Sequence, residues 1–158
     1  MKKIVVALIL SMVMAICAVG CSAPQSQLTA SGASINYPSE WTGDEQDLSN
    51  GKMLGLDVGI STALSLDLGG EVIIAIANTA GSPMAAEDFV AMLKEQGVSA
   101  EITGDKVDIS LSADGMHAIG TALVKDGSID AIALATADDS AWKANEEALR
   151  KVINSLSA

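Results

Sequence analysis

The chain has 158 residues, with 20 Asp or Glu against 9 Lys or Arg and a net charge of −11. That length fits one domain, and the acidic balance argues against nucleic acid, which needs a basic footprint. Apolar residues at 49% and charged residues at 18% exclude disorder throughout, and two cysteines exclude a disulfide scaffold.

Lys2 and Lys3 precede an apolar stretch over residues 4–19, in which Ser11 is the one hydroxyl. Gly20, Cys21 and a polar Ser-Ala-Pro-Gln sequence follow. Basic start, apolar core and small residues at the cut are the order of a secretory signal. The stretch falls short of the ~20 residues of a spanning helix, and no charged stop-transfer cluster follows it. Ala18-Val19-Gly20-Cys21 resembles a bacterial lipobox. The resemblance implies that Cys21 is the lipidation site, carrying diacylglyceryl and palmitate-type chains, and that cleavage falls after residue 20. Cys17 is the rival, but it follows bulky Ile16. An ordinary secreted protein cut near Ala23 and an uncleaved anchor are the alternatives.

Cleavage removes two lysines and no acid, so the remaining 138 residues carry −13 instead of −11. Their single cysteine is the acylated one, which leaves no thiol nucleophile and no thiolate metal site. Lipid chains at ~0.8 kcal/mol per buried CH2 hold such a protein at a cell membrane or outer membrane, facing the extracytoplasmic side. The acidic domain should stand off anionic headgroups.

Residues 21–32 are rich in Ser, Ala and Gln and uncharged, the composition of a flexible tether. Residues 33–158 then read as a single domain. A short strand over 34–37 ends at Pro38. Alternation over 52–60 places Leu54, Leu56, Val58 and Ile60 on one face, and alternation over 62–68 ends at Gly69-Gly70. Residues 71–78 are apolar on both sides, as in a strand covered on both faces. Ser82 and Pro83 open a helix with Ala86, Phe89, Val90 and Leu93 as its buried stripe and Gly97 as its C-terminal stop. Strands are predicted over 107–111, 116–125 and 128–136, with Asp114-Gly115 and Asp126-Gly127 as hairpin turns. A last helix over 140–156, capped by Asp139 or Ser140, buries Trp142, Leu149, Val152, Ile153 and Leu156.

Sequential hairpins without strand–helix alternation predict an α+β fold, one mostly antiparallel sheet with helices packed on its faces. This layout, the Ile35-Asn36-Tyr37-Pro38-Ser39-Glu40-Trp41 sequence, the 82–96 helix and the Lys125-Asp126-Gly127 hairpin resemble the PsbP-like (DcrB-type) family. The resemblance implies a PsbP-like domain and a non-enzymatic accessory role, and it carries no catalytic motif onto numbered positions.

The residues themselves offer little chemistry. His117 is the single histidine, and a Ser–His–Asp site needs all three groups within hydrogen-bond reach. No Gly-x-Ser-x-Gly elbow and no phosphate loop occurs. Asp138-Asp139 suits a helix N-terminus, and Glu146-Glu147 suits i,i+4 pairs with Arg150 and Lys151. Asp44, Glu45 and Asp47, after Trp41, read as a solvated loop or a weak cation site. No catalytic residue, metal ligand or cofactor site is assigned. The expectation is a lipid-anchored envelope protein that contacts the membrane through Cys21 and binds another envelope protein. The alternative is a small-ligand or cation-binding module near the Trp41–Asp47 segment.

Overall fold

The computed structural model describes residues 24–48, 51–79 and 83–158. Eleven strands and two helices are formed among them. β1 (Gln25–Ala30) and β2 (Ala33–Pro38) make a hairpin through Ser31-Gly32, both at positive φ. β3 (Gly43–Leu48), β6 (Ser61–Asp67), β7 (Glu71–Asn78), β8 (Ser99–Thr103), β9 (Lys106–Ala113), β10 (Met116–Lys125) and β11 (Ser128–Asp138) form the main sheet. Its order is β3-β6-β7-β11-β10-β9-β8, and every pairing is antiparallel. β4 (Gly51–Met53) and β5 (Leu56–Val58) form a small separate hairpin. The helices are α1 (Ala86–Glu95) and α2 (Asp139–Asn154). The predicted α+β class with a mostly antiparallel main sheet and helices is what the chain builds, but the single sheet expected is a seven-stranded sheet with two separate two-stranded hairpins.

The registry separates two cores. Val72, Ile74 and Ile76 of β7 share one face with Ala131, Ala133, Ala135 and Ala137 of β11. There they meet Leu28 and Ile35 of the first hairpin and Leu149, Val152 and Ile153 of α2. Ala77, Ala122 and Ile132 lie on the opposite face, under Phe89, Val90 and Leu93 of α1 and Leu56 and Val58 of β5. The alanines of both faces leave room for a helix to approach closely.

Several expectations are corrected. The segment expected as a tether contains β1, and its Leu28 is fully buried. Burial of Leu28 and Ala30 outweighs the polar composition, because alternate residues of a strand face opposite ways. The expected strand over 52–60 is two strands with a turn at Leu54-Gly55, where φ is 49 and 83. Leu56 and Val58 are buried as expected, but Ile60 is exposed. β3 and β8 were not expected at all, since charge or polarity hides their alternation. α1 starts at Ala86, with Ala85 at its cap position and no side-chain bond there; Ala86 N–H donates to Gly127 O at 3.0 Å instead. Ser82, the expected cap, lies outside the described residues. Asp138, not Asp139 or Ser140, caps α2: its backbone is extended and its carboxylate accepts from Ala141 N–H. The Asp114-Gly115 and Asp126-Gly127 turns both have two positive φ angles, as type I′ hairpins require.

Candidate functional site

The residues singled out from sequence fall into three places. Cys21 lies outside the described residues. The Trp41–Asp47 segment is an edge strand and not a loop, because Gly43–Leu48 pairs along β6. Alternation sets Asp44 and Asp47 on opposite faces. Asp47 Oδ1 is occupied, lying 2.9 Å from Thr62 Oγ1. These acids do not converge, and among the described residues no group of three His, Cys, Asp or Glu side chains is placed to hold a metal. Trp41 packs against the core beneath α2.

His117 stands in a built environment. Its Nε2 lies 2.7 Å from Asp139 Oδ1 and its Nδ1 lies 2.9 Å from Ser112 Oγ. A carboxylate only accepts, so Nε2–H donates to Asp139, and in the neutral ring Nδ1 accepts the Ser112 hydroxyl. The ring stacks on Trp142 with centroids 4.9 Å apart and planes 8° from parallel. Arg150 Cζ lies 5.4 Å from the Trp142 ring centroid, and the guanidinium bonds Glu146 at 3.0 Å. Ser112 and His117 are cross-strand partners, and Asp139 opens α2. The three groups that an acyl-transfer site needs are therefore in reach, but the ring nitrogens are used in the reverse order. The arrangement ties the β9–β10 hairpin to the first turn of α2. Trp142, expected in the core, is half-buried between this cluster and the core edge.

Beside it, between α2 and strands β8–β10, is a cavity of about 370 Å3 lined by Ser99, Glu101, Asp108, Ser110, Arg150 and Asn154 among others. Glu101 and Asp108 are directly opposite in register, a placement that like charges disfavour. The neighbouring inward residue of β9, Ser112, carries the histidine bond, while Ser110 lines the cavity.

The second face of the sheet is covered only in part by the described residues. α1 has ten residues, about 15 Å of helix. Seven strands span about 29 Å at ~4.8 Å spacing. α1 therefore covers part of that face. Ile73, Thr136, Ala118 and Leu111 run across β7, β11, β10 and β9 in one registered row. Ile73 is 37% exposed, Leu111 40% and Met116 46%. Ala75 and Leu134, half-buried, lie in the next row toward α1. A contiguous apolar surface left open on a sheet marks an interaction site more often than scattered single residues do. Sequence reasoning took the apolar pattern of β7 on both faces as a sign of cover on both. The length of α1 against the width of the sheet was the signal that this cover is incomplete.

No family model matches the chain, and no curated protein matches it. Among solved structures it is similar to the solution structure of cyanobacterial PsbP (CyanoP) from Synechocystis sp. PCC 6803, with a TM-score of 0.46 and 14% identity, covering 88% of this chain and 95% of that one.

Proposed function

We propose that this chain is a lipid-anchored protein of the cell envelope that acts without covalent chemistry, docking another protein on the open face of its sheet. The observation that carries the docking is the uncovered row from Ile73 to Leu111. The anchor rests on the Lys2-Lys3 start, the apolar 4–19 stretch and the Ala18-Val19-Gly20-Cys21 sequence. The PsbP-like reading of the domain rests on residues 35–41, whose Tyr37 and Trp41 pack against the core.

β1 begins four residues after Cys21. Four residues span at most ~14 Å, so a lipid on Cys21 would hold the domain close to the headgroups and not at the end of a long tether. Gln25 pairs with Pro38, and Ser39 N–H donates to Pro24 O. β2 is tied to the C-terminal end of α2, where Asn36 N–H donates to Ser155 Oγ and Ser34 pairs with Ser157.

A tagged full-length chain tests both parts. Cys21→Ser should leave the membrane fraction; retention there would point to an uncleaved apolar anchor. Ile73→Asp with Leu111→Asp should keep the membrane association and the circular dichroism of the parent but lose the co-purifying partner. An undiminished partner would move docking off this face. The small-ligand alternative near Trp41–Asp47 does not draw on the cavity beside α2, whose lining contains no residue of that segment; a ligand in that separate cavity would raise the melting temperature with occupancy.

A further inference from the structure

The bed of α1 continues into the open half of the face. Under α1 the sheet presents Ala77, Ile132 and Ala122 in one row. Two rows further on it presents Ile73, Thr136, Ala118 and Leu111, with the smaller residues in the middle and the larger apolar ones at the two ends. The strands from β6 to β9 give about 19 Å of width, enough for one helix of ~10 Å diameter.

The charges at the ends of the open rows are acidic, while Lys94 lies on α1 and Lys52 pairs with Asp57 on the β4–β5 hairpin. Asp44 ends the row of Ile73 through Ser65. Asp67 and Glu71 pair at the mouth of the β6–β7 turn, and exposed Asp114 sits in the turn beside Met116. Neither open row contains Lys or Arg. Lys106 donates to Asn154 O, while Arg150 and Lys151 pair with Glu146 and Glu147 on α2, which packs on the other face.

Resting on the docking reading above, we infer that the occupant is a basic amphipathic helix of a protein partner. Its apolar stripe lies on the Ile73–Leu111 row, and its Lys and Arg residues meet Asp44, Asp67, Glu71 and Asp114. It takes the place beside α1 and completes the layer that α1 begins. The acidic rim disfavours anionic lipid as the occupant, because like charges repel across such a contact.

The test uses the full lipidated chain in phosphatidylcholine nanodiscs, with empty nanodiscs as the blank. The probes are a Leu/Lys amphipathic peptide and its Leu/Glu counterpart. The Lys peptide should bind at least about tenfold more tightly than the Glu peptide, and more weakly as salt is raised. Ile73→Ser with Leu111→Ser, both at exposed sites, should weaken it about tenfold. Asp67→Asn with Glu71→Gln should flatten the salt dependence. Glu101→Gln with Asp108→Asn removes the same charge beside α2 and should leave the affinity unchanged. Equal loss from that last pair would reduce the binding to general charge attraction and overturn the inference. Equal binding of both peptides, still lost with Ile73 and Leu111, would overturn the basic partner and leave docking in place. Binding no greater than to empty nanodiscs, with a photoreactive residue at position 111 labelling lipid, would overturn both.

Discussion

Asp138 joins two parts of the fold through one carboxylate. Ala141 N–H donates to Oδ1 and Glu71 N–H to Oδ2, each at 2.9 Å. These bonds favour the ionised form and hold its pKa below the ordinary value of 3.8. The stability they supply is therefore present above pH 3.8 and is lost as pH falls through the lower folded value. Asp138→Asn should lower the melting temperature at neutral pH, and the difference from the parent should shrink as the pH falls below about 3.8. A constant gap across that range would show that charge plays no part. Gly70 is required here for close approach: a Cβ would collide with the Asp138 carboxylate. Gly70→Ala should therefore push the carboxylate off its donors and lower the melting temperature in the manner of Asp138→Ala, and a double variant should add little. Trp142 belongs to the same end of the molecule. Being half-buried and stacked on His117, it should cost about 1–2 kcal/mol on replacement by Ala, below the ~3–5 kcal/mol of a fully buried aromatic. Chemical denaturation would measure it.

At the scale of elements, what was legible in the sequence follows from how strongly each segment alternates. β7, β10, β11 and both helices carry long apolar patterns, and their buried residues were readable as Val72, Ile74, Phe89, Leu93, Leu149 and Ile153. The Asp-Gly turns were readable because type I′ geometry demands their chemistry. β1 was not, since its inward residues are only Leu28 and Ala30 among Gln, Ser and Thr. β3 was not, since all six of its residues are exposed and three are acids. Charges on an edge strand block pairing with another sheet, which gives Asp44, Glu45 and Asp47 a purpose that needs no cation. Two tests follow. Leu28→Ala should cost about 2–5 kcal/mol, measured by denaturant unfolding, as for any filled core position; a negligible change would restore the tether. Calcium should leave the melting temperature unchanged, and a saturable rise would return a cation site to the acids of β3. The site itself was the least legible part. Registry brings Ile73, Thr136, Ala118 and Leu111 into line from four strands, and no local pattern records such a row. The Ser112–His117–Asp139 chain is likewise assembled from two strands and a helix, with only the lone histidine visible in advance.

The whole molecule is an asymmetric sandwich. One face is closed by α2 and the β1–β2 hairpin, which bury a continuous core. The other is closed in part by α1 and the β4–β5 hairpin. The closed face needs its hairpin, so the chain is committed to structure within a few residues of Cys21. The open row lies toward the β6–β7 and β9–β10 turns, and it is there that the proposed partner docks. Asp44, Asp67 and Glu71 edge the apolar row, and in the proposed docking they set the charge of the partner. Photocrosslinking in cells tests this most directly, with a photoreactive residue at position 111 in the lipidated chain and at position 101, on the face of α2, as its control. The expected result is one discrete protein adduct from position 111 that disappears with Cys21→Ser, and none from position 101. Equal adducts from both positions, or an adduct from position 101 alone, would contradict docking on the open face.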